Sequence, residues 1–119
     1  LCLKAGFRAV DVKAVHGYLV NEMMGAKTGE GRYRGTSLEN RTRFVRNILG
    51  KLRAAYGKKL ILCMRLNAYE CVPYLRNAQT GVGEPYPYET PYPWGWGNSS
   101  DTMREDLSEV KQAIQWFRR

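Results

Sequence analysis

The apolar positions of this chain follow two spacings, and each spacing predicts elements. From residue 9 the order Ala-Val-Asp-Val-Lys alternates, which places Val10 and Val12 on one face of a strand and Asp11 and Lys13 on the other. The strand breaks at Ala14, and His16 and Tyr18 follow directly. A second run, Leu60-Ile61-Leu62-Cys63-Met64-Arg65-Leu66, is almost continuously apolar. Such a run predicts a strand buried on both faces of a parallel sheet. Its single charge, Arg65, lies near the C-terminal end, on the face of Cys63. Between the two strands Leu38, Val45, Ile48, Leu49, Leu52 and Ala55 recur at helical spacing. Thr36-Ser37-Leu38-Glu39 reads as a capping box with Thr36 as N-cap, and Gly57 as the stop. Arg41, Arg43, Arg46 and Lys51 fall to the rest of that helix. A last helix is predicted over 101–117, capped by Asp101, with Leu107, Val110, Ile114 and Phe117 as its stripe. Residues 1–5 read as the final turn of a helix closed by Gly6. Residues 17–24 read as a short helical turn and 25–35 as a glycine-punctuated loop. Residues 67–100 form a long irregular segment rich in proline, tyrosine and tryptophan; its aromatics argue against disorder.

The order is strand, loop, helix, strand, loop, helix, which implies right-handed parallel crossovers. The helix-to-strand connection at Tyr56-Gly57-Lys58 is tight, whereas both strand-to-helix connections are long. Strand-to-helix loops emerge at the C-terminal edge of a parallel sheet, so Lys13, His16, Tyr18 and Arg65 gather at one edge, as in the active face of a barrel. A complete barrel needs about 250 residues, and the chain has 119. The fold class is therefore α/β, a fragment of a (β/α)8 TIM barrel. It comprises about two parallel strands with their helices and long C-terminal-face loops. The chain starts at Leu1, in what reads as a helix end, so the domain over 1–119 is expected to be partial, incomplete at both ends.

Composition narrows the setting. At 44% hydrophobic and 25% charged the chain is of ordinary globular make-up. It has neither a run of apolar residues long enough to cross a membrane nor a signal-peptide pattern. Cys2, Cys63 and Cys71 lack metal-ligand spacing, and Cys63 reads as a small buried hydrophobe. Three cysteines without a secretory signal favour a reducing, cytoplasmic setting. The net charge of +8 would suit nucleic acid. The basic residues are scattered, however, and form no stripe interleaved with aromatics, so solvated helix faces explain them better and no nucleic-acid partner is expected.

Ala5-Gly6-Phe7, Val10-Asp11-Val12, His16-Gly17-Tyr18-Leu19, Ser37-Leu38-Glu39-Asn40-Arg41-Thr42-Arg43-Phe44 and Arg65-Leu66 stand in this order. Together they resemble the Old Yellow Enzyme family of NADH:flavin oxidoreductases. Gly81-Val82-Gly83-Glu84-Pro85 and Pro91-Tyr92-Pro93-Trp94-Gly95 resemble a bacterial branch of it. The resemblance implies a TIM barrel with FMN at its C-terminal mouth. It also implies NADH or NADPH as reductant and an activated alkene or similar small-molecule electron acceptor. The two strands would be the fourth and fifth of the barrel. By the same resemblance Tyr18 matches the proton-donating tyrosine. His16 matches the second of two positions that hold the substrate oxygen beside the flavin, and Lys13 the first, where histidine is commoner. Arg65, at the end of the fifth strand, matches the arginine that contacts the flavin ring; Lys13 is near enough in the pattern to share that contact. Where the family has an acidic Asp-Glu before Tyr-Gly-Gly, this chain has Gly31-Arg32-Tyr33-Arg34-Gly35-Thr36.

The residue types suit that chemistry. Donors such as Lys13 and His16 stabilise negative charge developing on a carbonyl oxygen. Tyr18 can protonate the carbon opposite the hydride, and a permanent cation at Arg65 offsets electron density on a reduced flavin. Each residue also has a plainer reading. Lys13 suits a strand-end lysine in solvent, His16 a loop residue, and Tyr18 core packing. Arg65 needs a partner in an apolar strand, and Asp11 on the neighbouring strand is the natural one. A different barrel chemistry would use Lys13 as a Schiff-base nucleophile, as class I aldolases do. A basic nucleic-acid-binding module ranks last. Tyr86, Tyr88, Tyr92, Trp94 and Trp96 suit either a substrate mouth or packing on a second subunit of a homo-oligomer.

Overall fold

A computed structural model describes residues 1–70 and 72–118; the reading of Cys71 lies outside the described residues. Strand β1 spans Ala9–Ala14, and helix α1 spans Leu19–Gly25. Helix α2 covers Leu38–Tyr56, and a 3-10 turn at Gly57–Lys59 leads into strand β2, Ile61–Leu66. β1 and β2 pair in parallel, with Lys13 opposite Arg65 and Asp11 opposite Cys63. The segment after β2 contains a small antiparallel hairpin, β3 (Tyr74–Arg76) and β4 (Gly83–Pro85), before helix α3, Ser108–Phe117.

The sheet is covered on one face only. Val12, Ala14, Met64 and Leu66 point into a core completed by Val20 and Met24 of α1, Leu38 and Val45 of α2, and Val110 and Ala113 of α3. The other face carries Asp11, Lys13, Ile61, Cys63 and Arg65. Ile61 is 58% exposed and Cys63 is exposed as well. This corrects the expectation that β2 is buried on both faces and that Cys63 is a buried hydrophobe. The apolar run on β2 alternates in burial like any half-covered strand, because its second face is left uncovered among the described residues.

Two element ends and one helix stripe differ from the sequence pattern. The N-cap of α2 is Ser37, whose Oγ accepts the Asn40 N–H at 3.3 Å. Starting the helix one residue later than Thr36 would allow makes Asn40 the third helical residue, so Glu39 cannot close a capping box and instead faces Arg46 at 3.8 Å. Helix α3 begins at Ser108, well after Asp101. Residues 101–107 are drawn into tertiary contacts, with the Asp106 N–H on the Gly97 carbonyl and Asn98 bridging to Glu105. Its buried stripe is Val110 and Ala113, and Ile114 is 40% exposed.

Arg41 also departs from the expected solvated face, being buried. Its Nη1 donates to the Met24 carbonyl at the end of α1 at 2.7 Å, and its Nη2 reaches Glu109 of α3 at 2.5 Å. One guanidinium therefore ties three helices together. Arg41 lies on the stripe of Leu38 and Val45, a position the spacing itself marks as inward.

Candidate functional site

The C-terminal edge of the sheet collects the singled-out residues. Lys13, the penultimate residue of β1, is the register partner of Arg65 on β2, and both project from the uncovered face. Asp11 lies one pleat below and accepts from the Arg65 Nε at 2.6 Å. The pair is open to solvent, with the Arg65 side chain 58% exposed, so it orients the guanidinium more than it stabilises the fold.

Beyond Ala14 the chain turns sharply. His16 has φ +62° and Gly17 φ +63°, two successive left-handed residues. At His16 that conformation costs about 1–2 kcal/mol relative to an extended residue. The turn brings Tyr18 back over the strand end, where the Lys13 Nζ sits 3.3 Å from its ring centroid. An ammonium against an aromatic face is held by the ring quadrupole. Tyr18 is 60% exposed, so it is a rim residue and the core-packing alternative fails. His16 is exposed in the same turn. Lys13, Tyr18 and Arg65 thus share one end of the sheet, with His16 in the loop that leads between Lys13 and Tyr18.

Behind this rim lies a polar group that the spacing did not single out. Asn21 of α1 is fully buried, and its Oδ1 accepts the Gly17 N–H at 2.8 Å. Its Nδ2 completes no hydrogen bond with a described atom. Glu70 lies in the loop after β2. The Asn67 Nδ2 donates to its Oε1, and its own N–H donates to the Trp96 carbonyl at 3.0 Å. Burial pushes the Glu70 carboxyl above the usual carboxylate range; the Asn67 and Asn21 amides pull it back, Glu22 adds to the rise, and His16 opposes it. An asparagine among Val20, Met24 and Gly25, the buried residues of α1, was the sequence signal for this cluster.

The tryptophans of the aromatic loop turn inward to different degrees, Trp96 being buried and Trp94 half-buried. Trp96 is in the core, its Nε1 donating to the Asn67 carbonyl at 2.8 Å. Trp94 lies against Gly25, where a Cβ would come within 2.6 Å of its ring. Tyr86 and Tyr88 remain exposed on the hairpin side. A groove between α2, Leu62 and Met64 of β2, and Phe117 of α3 is lined by none of Lys13, His16 and Tyr18, so it is not part of this rim. Among the described residues no helix is long and apolar enough to cross a membrane.

Comparison with known proteins accounts for this layout. An NADPH dehydrogenase of Clostridium acetobutylicum is 36% identical over 67 residues, 55% of this chain and 20% of that protein. An NADPH dehydrogenase of Halalkalibacterium halodurans is 36% identical over 69 residues, 56% of this chain and 20% of that protein. A Rhizobium meliloti protein named "Probable N-methylproline demethylase" is 39% identical over 70 residues, 57% of this chain and 10% of that protein. The matched part of the chain thus spans a fifth or less of the length of these relatives. No solved structure matches the chain. The profile of the NADH:flavin oxidoreductase / NADH oxidase family, a family of TIM-barrel enzymes that use FMN and NAD(P)H, covers residues 1–80. That span takes in both parallel strands, the left-handed turn and the whole rim, and so this chain belongs to the NADH:flavin oxidoreductase / NADH oxidase family.

Proposed function

We propose that residues 1–119 are two βα units of a longer barrel, incomplete at both ends, in an FMN-dependent enzyme. That enzyme passes hydride from NADH or NADPH, by way of the flavin, to an activated alkene or a similar small acceptor. The observation that carries this reading is the Lys13 ammonium held 3.3 Å from the Tyr18 ring centroid, at the sheet end where Arg65 also stands.

FMN, when bound, supplies reversible hydride acceptance and donation, which no side chain offers. The donor set fits it. Arg65 is a permanent cation whose Nε is anchored by Asp11 while the guanidinium stays 58% exposed, which suits an electron-rich ring. The uncovered face with Ile61 and Cys63 leaves space beside it.

The other roles belong to the chain. Reduction of an alkene conjugated to a carbonyl puts negative charge on the carbonyl oxygen. Lys13 and His16 donate to that oxygen, and their effect is largest where water is thin. Tyr18 gives its phenolic proton to the carbon opposite the hydride. The Lys13 ammonium over the ring then faces the negative charge left on the phenolate. A lysine at the first oxygen-holding position favours a strongly polarised or anionic acceptor. A reducing, cytoplasmic setting suits Cys2 and Cys63, both free and exposed.

The test uses the flavin-loaded full-length protein and follows the two half-reactions separately by stopped flow. Tyr18→Phe keeps the ring that Lys13 stacks on and removes only the proton. We expect alkene reduction to slow by about 10²- to 10⁴-fold, with flavin reduction by NAD(P)H nearly unchanged. Equal loss in both half-reactions would refute the role of Tyr18.

A further inference from the structure

We propose that Trp94 and Trp96 are positioning residues, and that the strap of residues 93–97 holds the turn bearing Tyr18 in place against the end of β2. Neither tryptophan acts on substrate or flavin directly in this reading. It rests on the proposed role of Tyr18 only for what the turn presents; the strap itself stands on hydrogen bonds and packing.

One end of the strap grips helix α1. Trp94 pairs with Ala26 as an antiparallel bridge. Around that bridge the Gly95 N–H donates to the Gly25 carbonyl at 2.9 Å, and the Lys27 N–H donates to the Pro93 carbonyl at 3.2 Å. The indole Nε1 of Trp94 donates to the Glu22 carbonyl at 3.3 Å. Its ring occupies the space that a side chain at Gly25 would need. The other end grips the loop after β2. Trp96 is fully buried, and its Nε1 donates to the Asn67 carbonyl at 2.8 Å. The Trp96 carbonyl accepts the Glu70 N–H at 3.0 Å. Gly97 lies so close to Ala68 that a Cβ would strike the Ala68 carbonyl.

Both ends lead to the rim. The Glu22 N–H donates to the Tyr18 carbonyl at 2.9 Å, so the first turn of α1 carries Tyr18 with it. Asn67 stands two residues past Arg65. The strap therefore spans from the helix that carries Tyr18 to the strand that carries Arg65. A solvated loop could shift at little cost, but a buried indole with its N–H bonded cannot. Displacing it opens a cavity and strands a donor.

Gly25→Ala tests this with one methyl group. The new Cβ would meet the Trp94 ring at 2.6 Å and must push the strap and α1 apart. The first readout is the fluorine NMR signal of Tyr18 in the full-length protein labelled with fluorotyrosine, assigned by its loss in Tyr18→Phe. Tyr56, the last residue of α2, is the internal reference. We expect Gly25→Ala to shift and broaden the Tyr18 signal and to leave that of Tyr56 in place. The second readout is the pair of half-reactions in the flavin-loaded enzyme. Alkene reduction should slow by about 10- to 100-fold, the scale of a slightly misplaced catalytic group, with flavin reduction by NAD(P)H nearly unchanged. A strap that merely stabilised the fold would lower the melting temperature without that split. An unmoved Tyr18 signal, or equal slowing of both half-reactions, would overturn the proposal. Should Gly25→Ala not fold, Trp94→Phe carries the test: loss of the Nε1 bond to Glu22 shifts the Tyr18 signal, and no shift refutes the strap. The fluorine signal needs no flavin. Failure of the full-length protein to bind FMN would sink the functional reading and leave the Tyr18 signal to decide the strap.

Discussion

Replacing Arg41 by methionine removes the central tie of the three helices while filling most of its volume. The Arg41 side chain makes two bonds, to the Met24 carbonyl at 2.7 Å and to Glu109 at 2.5 Å. Losing the first leaves a carbonyl at the buried end of α1 without its donor, which costs about 1–3 kcal/mol. Losing the second costs less, because the Glu109 side chain is 33% exposed and can turn to water. For such a partner about 1 kcal/mol is generous. Against these, methionine no longer buries a charge, and the Nε, which has no partner among the described residues, disappears with it. The expected net loss for Arg41→Met is about 1–3 kcal/mol. Arg41→Ala also removes the apolar stem, roughly 2 kcal/mol of further burial at about 0.8 kcal/mol per methylene. Its loss should therefore reach about 3–5 kcal/mol, the usual cost of breaking a buried pair from one side. Urea unfolding followed by circular dichroism reads both, with Glu109→Gln as the control that keeps a hydrogen-bond acceptor. If Arg41→Met proves as stable as the parent chain, desolvation of the guanidinium outweighs its bonds and this reasoning is wrong.

Four further outcomes are expected. Glu70 has its carboxyl raised in the folded chain above the ordinary 4.5. Its favourable contribution is therefore complete below that value and is lost as pH rises through the raised one. The gap in urea midpoint between Glu70→Gln and the parent should shift in favour of the variant over that window, and a flat gap would refute the burial argument. Gly97 has φ +73° and a Cβ there would strike the Ala68 carbonyl, so Gly97→Ala should destabilise by about 3 kcal/mol. Gly50, inside α2 with open space at its Cβ position, should accept alanine with a gain of about 0.5–1 kcal/mol; thermal melts of the pair separate the two cases. The 119-residue chain alone should bind FMN weakly in a spectral titration. It offers the ring-side cation Arg65 and the acceptor-side groups but too little barrel to enclose the cofactor; tight binding would count against the two-unit reading.

Local pattern carried the architecture a long way. Alternation at Val10 and Val12, the unbroken run at 60–66 and the stripe from Leu38 to Ala55 were enough to order the elements and make the strands parallel. The salt bridge of Arg65 with Asp11 followed from a lone charge in an apolar strand. The expectations that fail have different causes. Residues 101–107 hydrogen-bond to the turn near Gly97 and so cannot start a helix, and a better cap at Ser37 took over from Thr36.

What the chain alone determined is which residues lie at the C-terminal edge of the sheet, because strand direction and the two long loops follow from periodicity and glycine placement. What only the folded molecule decided is how those residues stand to one another. The stacking of Lys13 on Tyr18 depends on the left-handed turn at His16 and Gly17, and the insertion of Arg41 between Met24 and Glu109 depends on segments far apart in sequence. Periodicity assigns a side chain to a face, but the partner it meets on that face is chosen by packing across the whole chain.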